Sequence, residues 1–205
     1  MQISQPEFHR QLRTLFATLR ILVRATEGRS SVEDYAAHLE GRVGTLARVH
    51  EMMMRAPVEG VSLEELVCSE FLSQSADERR YFIGGPGVRI GRDAAVPLGL
   101  AVHELANNAM AFGAFAADTG TVDVSWDVDS ADDGEWLSVS WRERGVERDG
   151  NEEVIRGFGH ELLERMLPYE LNARTGIEFT PEGVCARIDL PALPETRLWT
   201  VEGEN

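Results

Sequence analysis

Cysteine is scarce in this sequence: Cys68 and Cys185 stand far apart, outside any CxxC pair. That spacing does not suggest a disulfide framework or a zinc site, and it fits a reducing cytoplasm. No apolar run approaches the roughly 20 residues needed to cross a bilayer. The amino terminus, MQISQPEFHRQLR, lacks the apolar core of a signal peptide. A soluble, cytoplasmic chain without membrane contact is therefore expected. Bases are also in deficit, 20 against 35 acids, giving a formal net charge of −15. A surface of that sign repels phosphate backbones and disfavours nucleic acid as a partner. It leaves room for a nucleotide pocket, where local donors and a bound Mg²⁺ outweigh the net field. The acids gather at Asp127 to Glu135 and at Glu143 to Glu153, and both runs read as solvated loops. There is no internal repeat and no low-complexity segment.

What is present is a hydrophobic fraction of 43%, enough for a buried core in one large domain or two small ones. Phe8, Leu12, Leu15, Leu19 and Leu22 advance by alternating fours and threes, one stripe of a helix. Gly28 breaks it. Ser31 with Asp34 three residues on reads as a helix N-cap, and a second stripe follows in Tyr35, Leu39, Val43, Leu46, Val49 and Met53, ending before Pro57. Two such helices fold back as a hairpin, and a lone hairpin must dock on something. A homodimeric four-helix bundle is one solution, packing on its own second domain another. Beyond Pro57 the spacing predicts a short helix over 61–72, two short strands around the GGPG turn within 80–90, and a long apolar helix over 95–112 that begins near Pro97. Strand-like runs at 121–128 and 135–142, a helix over 159–167, and strands at 176–180 and 184–190 joined by Pro181-Glu182-Gly183 complete the pattern. Helix, strand pair, helix, strand pair describes an α/β sandwich with a mixed or antiparallel sheet.

Three local signals carry chemistry. In Ala101-Val-His-Glu-Leu-Ala-Asn-Asn-Ala109, Glu104 and Asn108 are four apart and share a helix face. A carboxylate and a carboxamide so placed can orient a hydrated Mg²⁺, and the carboxylate can accept a proton. In Ser140-Trp-Arg-Glu-Arg-Gly145, Glu143 at a strand end can accept a hydrogen bond from an adenine amino group, and Gly145 lets a ring approach the backbone. Gly157-Phe158-Gly159 opens a helix, where glycines free backbone N–H groups to hold phosphate oxygens; Arg156 and His160 can add positive charge. Taken alone, GFG reads more readily as an ordinary strand-to-helix turn.

In this order the three signals resemble the ATP-binding fold shared by gyrase, the heat-shock protein of ninety kilodaltons and histidine kinases: an N-box helix, an acid-glycine box and a glycine lid. More narrowly, the chain resembles the HWE subfamily of bacterial histidine kinases, named for an N-box His and a Trp-x-Glu before the glycines. His103, Trp141 and Glu143 stand at those places, HRQLRTLFATLRILVRAT resembles the phosphoacceptor helix, and HLEGRVGTLARVHEMM matches further on. The resemblance runs from Phe8 to Leu190. It implies an α+β chain: an antiparallel helical hairpin over 1–58, a four-helix bundle on dimerisation, then a Bergerat-type α/β sandwich with a mixed sheet over 59–192, and a flexible tail over 193–205. It also implies His9 as phosphoacceptor, Glu104 as a residue that helps activate the reaction, and Asn108 as the Mg²⁺ ligand. Glu143 would read adenine, and Gly145, Gly157, Phe158 and Gly159 would line the pocket for ATP. Trp141 and His103 read as packed residues, His38 and His50 as structural or surface ones, and Met52, Met53 and Met54 as packing at a dimer or interdomain face.

The implied activity is ATP-dependent autophosphorylation of His9, followed by transfer to the aspartate of a response-regulator receiver domain. Several positions depart from the family pattern: Leu12 and Arg13 in the acceptor helix, Ala111 where a lysine often contacts phosphate, and Val146-Glu147 where Gly-Pro is expected. Each removes a polar or flexible element near the transferring group. A histidine phosphotransfer protein or pseudokinase on a degenerate ATP-binding domain is therefore the alternative, with a nucleotide-binding regulator of the partner-switching kind as a third class. Eight residues precede His9, so the input is expected from a longer sensor of which this is a part, or from a separate sensor protein.

Overall fold

The computed structural model describes residues 9, 16–24, 31–56, 59–131, 134–146, 157–192 and 199–200. Expectations for Phe8, Leu12, Arg13, Leu15, Gly28, Pro57, Glu147 and Arg156, and for most of the tail, lie outside them. The chain divides into two compact units, Met1–Gly44 and Thr45–Asn205.

In the first unit, residues 16–24 are helical (α1), with Leu22 fully buried and Phe16 exposed. Helix α2, Val32–Arg55, starts as its cap predicts: the Asp34 N–H donates to Ser31 Oγ at 3.0 Å. Glu33 and Asp34 in the first turn and Arg55 in the last complement the helix dipole. One expected stripe position fails. Val43 is 38% exposed, whereas Arg42 is fully buried. Strict alternation of fours and threes from Tyr35 runs through 39, 42, 46 and 49, and the buried face follows that count.

The second unit begins within α2 and continues with a short strand β1, Val61–Ser62, and helix α3, Leu63–Ser73. Ser62 caps α3 by accepting from the Glu65 N–H, so the helix expected from Val61 starts two residues later. A 3₁₀ turn, Glu78–Arg80, leads to β2, Tyr81–Gly84, and β3, Val88–Ile90. These are the two short strands expected around GGPG, but they do not pair: β2 joins β4 in parallel, while β3 pairs with β1. The turn between them rests on Trp126, whose indole N–H donates to the Pro86 carbonyl at 2.8 Å.

Helix α4 spans Arg92–Ala111, starting before the expected Pro97. Gly91 caps it in an extended conformation with Asp93 in the first turn. Pro97 removes one main-chain bond in the second turn, a loss that burial of most of the helix outweighs. Then come β4, Thr121–Ala131, and β5, Gly134–Arg144. A helical segment follows: α5, Phe158–Glu161, a π turn, Leu162–Met166, and α6, Leu167–Leu171. Strands β6, Arg174–Thr180, and β7, Gly183–Pro191, close the sandwich. In the tail, Trp199–Thr200 forms β8 and pairs with β3. Of the acid run Asp127 to Glu135, read as a loop, Asp127 and Asp129 lie on β4 and Glu135 on β5, all three exposed.

Among the described residues the sheets are β1-β3-β8 and β2-β4-β5-β7-β6, the second mixed because only β2–β4 is parallel. One face of the larger sheet is apolar. Val122, Val124 and Trp126, then Leu137, Val139 and Trp141, then Val184, Ala186, Ile188 and Leu190 are all buried. The other face carries polar pairs such as Ser138 with Asp189 and Arg187, the alternation of a half-covered sheet. Phe71 of α3 locks the helical layer to this sheet. Fully buried, it stacks on Tyr81 at 4.5 Å between centroids and on Trp141 at 5.5 Å, and meets Phe115 edge-on at 5.8 Å. Phe71→Ala should lower stability by about 3–5 kcal/mol. The neighbouring Leu72→Ala, at a side chain 62% exposed, should stay within about 0.5 kcal/mol of wild type; urea unfolding of the two variants checks both.

Candidate functional site

Helix α4 places Glu104 and Asn108 one turn apart. Glu104 is 4% exposed, while Asn108 is exposed. Against Glu104 lies the glycine turn that opens α5: a Cβ on Gly159 would stand 3.0 Å from Glu104 Cβ. Gly157 caps α5 in an extended conformation, and among the described residues none beyond its chain neighbours comes within 4 Å of where its Cβ would be. Phe158 between them is buried and anchors the turn. Two of the three sequence signals, more than fifty residues apart, therefore meet on one face of α4. His160, one residue beyond Gly159, lies 2.9 Å from Glu164.

The third signal sits differently. Glu143 is 2% exposed. Its Oε2 accepts from the Ala114 N–H at 2.8 Å and its Oε1 from the Trp141 indole at 3.2 Å. Each oxygen serves one donor, which leaves the carboxylate further acceptor capacity for the adenine contact expected of it. Gly145 adopts φ +75, a left-handed conformation that favours glycine. Its Cβ position would be 3.1 Å from Gly120 Cα, so it faces the loop between α4 and β4. Val146, at a departure from the family pattern, is buried, and its N–H donates to the Glu182 carbonyl. Ala111 is exposed, as is helical His9.

His103 is packed, as expected: 5% exposed, with Nδ1 3.1 Å from Glu70 Oε2. Glu70 was not foreseen. Fully buried on α3, it accepts from Thr45 Oγ1 at 3.0 Å, from Arg48 Nε at 3.2 Å and from Arg48 Nη2 at 2.6 Å. The sequence did hold a signal. Leu63, Leu66, Val67, Glu70 and Phe71 are the buried stripe of α3, and a carboxylate on an apolar stripe must find partners. Arg80 was also missed, and no local pattern marks it. Its guanidinium donates to the carbonyls of Gly120, Phe115, Ala114 and Ala117 at 2.9, 3.3, 2.6 and 2.5 Å.

Among the described residues no group of three or more His, Cys, Asp or Glu could hold a metal ion, and no helix is long and apolar enough to cross a membrane. Asn108 with Glu104 nevertheless suits Mg²⁺, which takes one or two protein oxygens and completes its shell from phosphate and water.

The sandwich is that of histidine kinase catalytic domains. It superposes with a TM-score of 0.67 on the blue-light-activated histidine kinase of Erythrobacter litoralis, at 16% identity, over 93% of this chain and 61% of that one. The histidine kinase domain of the same protein gives 0.56 at 17% identity, over 87% and 84%. Residues 7–87 match the profile of the HWE histidine kinases. It is 31% identical over 191 residues to blue-light-activated histidine kinase 1 of Erythrobacter litoralis, covering 90% of this chain and 52% of that protein. A blue-light-activated histidine kinase of Brucella anthropi is 32% identical over 155 residues, 73% of this chain and 30% of that protein. The chain thus spans about half or less of the length of these relatives.

The Glu70 cluster responds to acid in a defined direction. Burial pushes its carboxyl up, but hydrogen bonds from His103 and Arg48 and the Arg48 charge outweigh burial, leaving it below its ordinary 4.5. A depressed carboxyl contributes its full stabilisation above about pH 4.5 and loses it as pH falls through the folded value. Glu70→Gln should therefore cost about 1–3 kcal/mol at neutral pH. Its urea midpoint should also fall less than that of wild type between neutral pH and about pH 3. Parallel slopes in that interval would show that Glu70 is not the group responsible.

Proposed function

We propose that this chain is a protein-histidine kinase of two-component signalling, which phosphorylates His9 from Mg-ATP and passes the phosphoryl to the aspartate of a response-regulator receiver domain. The observation that carries the reading is the packing of Gly159 on Glu104, with Asn108 exposed one turn further along α4. A kinase of this class needs a metal-orienting carboxamide, a carboxylate and a phosphate-holding glycine turn in one place. The family and the fold point the same way.

When bound, Mg-ATP supplies an activated phosphoryl group whose charge the metal offsets. The chain's own residues do the positioning. Asn108 offers its carbonyl oxygen to Mg²⁺. Glu104, shielded from bulk water, offers a carboxylate that accepts a proton. Gly157 and Gly159, with buried Phe158 between them, open the helix whose first backbone N–H groups would hold phosphate oxygens. His9, exposed on its helix, presents a ring nitrogen as the nucleophile that takes the phosphoryl group. On this reading 1–58 is the acceptor hairpin, which pairs with a second copy, 59–192 is the nucleotide-binding domain, and 193–205 is a tail. The working chain is cytoplasmic, and its input comes from a sensor segment or a separate sensor protein.

A second reading rests on Ala111. It is exposed near the end of α4, where a lysine would bring an ammonium to phosphate, and loss of such a charge costs orders of magnitude in rate. On that reading the chain relays phosphoryl groups through His9 without using ATP.

Incubation with γ-labelled ATP and Mg²⁺ separates the two. Wild type should acquire acid-labile, base-stable label, His9→Ala none, and Asn108→Ala at least about 100-fold less. An unlabelled wild type that still accepts phosphoryl from a phosphorylated receiver domain would replace the kinase with the relay.

A further inference from the structure

From Thr45 onward α2 belongs to the second unit, and there it is joined to two other helices at one buried point. Glu70 of α3 is fully buried. Its Oε2 accepts from Thr45 Oγ1 at 3.0 Å and from Arg48 Nη2 at 2.6 Å, and lies 3.1 Å from His103 Nδ1 on α4. Its Oε1 accepts from Arg48 Nε at 3.2 Å. An ionised carboxylate only accepts, so His103 carries a proton on Nδ1. The Arg48 fork grips both oxygens, which fixes direction as well as distance.

The helices leave this point little slack. Gly99 stands four residues before His103, on the same face of α4. A Cβ there would be 2.9 Å from Val49 Cγ2 and 3.5 Å from Thr45 Cγ2, so α4 rests directly on α2. Thr45, Val49 and Met52, spaced four and three apart, are all buried and form the matching stripe. Arg92, at the head of α4, donates to the Met53 carbonyl at 3.3 Å. Glu104 follows His103 in sequence, and the Cβ position of Gly159 is 3.0 Å from its own Cβ. A small displacement of α4 is therefore felt at the glycine turn.

We propose that Glu70 is a positioning residue for phosphoryl transfer: by holding Thr45, Arg48 and His103 together, it sets where α4 presents Glu104. It acts through His103 and touches neither nucleotide nor metal. This rests on the kinase reading for the reaction that the joint serves; the joint itself needs no nucleotide. Glu104 belongs to the transfer step, whereas Asn108 and the glycine turn bind Mg-ATP. Loss of the joint thus slows turnover more than it weakens binding.

The experiment compares the full chain as wild type, Glu70→Gln, Thr45→Val and Leu190→Ala, each well below its unfolding temperature. Glu70→Gln turns an NH₂ group toward donors, and Thr45→Val removes a single donor. Leu190, fully buried on β7, supplies a control that loses stability without altering any donor or acceptor of the joint. Initial rates of His9 labelling are measured against Mg-ATP concentration. We expect kcat to fall at least about tenfold in Glu70→Gln and about threefold in Thr45→Val, with KM within about twofold of wild type in both. Leu190→Ala should label as wild type does. Amide hydrogen exchange without nucleotide is read alongside. In Glu70→Gln it should quicken only in the segments of α2, α3 and α4 that meet at Glu70. An unchanged kcat, an equal fall in Leu190→Ala, a rise in KM alone, or exchange quickened evenly along the chain would overturn the proposal. Should Glu70→Gln fail to fold, Thr45→Val carries the same readouts. If wild type takes no label, the kinase reading fails, and the exchange pattern alone decides the joint.

Discussion

A carboxylate with no water around it must be solvated by protein, and Glu70 meets that demand by drawing donors from two other helices. Thr45 and Arg48 approach from α2 and His103 from α4. Hydrophobic contact between helices is non-directional and tolerates sliding; hydrogen bonds to one buried charge do not. A shift of α4 by one residue would carry His103 away from Glu70 and leave a charge unpaired in the interior, a cost of several kcal/mol. The neighbouring residue in sequence is Glu104, so the same bond that satisfies Glu70 sets the rotation and height of the site-bearing face. Phe71, next to Glu70, makes the corresponding apolar connection to the sheet. Two adjacent positions on α3 thus hold the helical layer, one by charge and one by shape.

The letters that mark the family are spent on internal connections. His103 binds Glu70, Trp141 donates to Glu143, and Glu143 holds the Ala114 amide. All three are buried. They describe how the interior is joined, while the exposed groups suited to a ligand, Asn108 and the Gly157 turn, are those expected of the wider ATP-binding fold.

Much of the architecture could be read in advance because it depends on periodicity and punctuation. The cap at Ser31, the α3 stripe, the two hairpins and the N-box helix are local in origin, and local signals survive into the fold. The departures have specific causes. Val43 was placed inside by counting fours twice in succession, where the 3.6-residue turn requires Arg42. Pro97 was read as a start, although a proline in the second turn of a buried helix costs less than the burial returns. Strands β2 and β3 looked like a hairpin, but they serve different sheets, and a parallel partner forty residues on leaves no mark in a short window. At the site, Glu104, Asn108 and the glycine turn were legible as motifs, yet their meeting was not. Arg80 was invisible because what it binds is backbone.

That last feature has a consequence for how the sequence can drift. The four oxygens that Arg80 holds belong to the main chain, which every amino acid supplies alike. Phe115 is tied by its ring to Phe71, but the Arg80 bonds make no demand on the identity of the other side chains between Gly113 and Gly120. Relatives can therefore share the loop's path while differing at most of its letters, provided an arginine precedes β2 and glycine stays at both ends. Alignment would score such a segment as variable, although its shape is held from both sides.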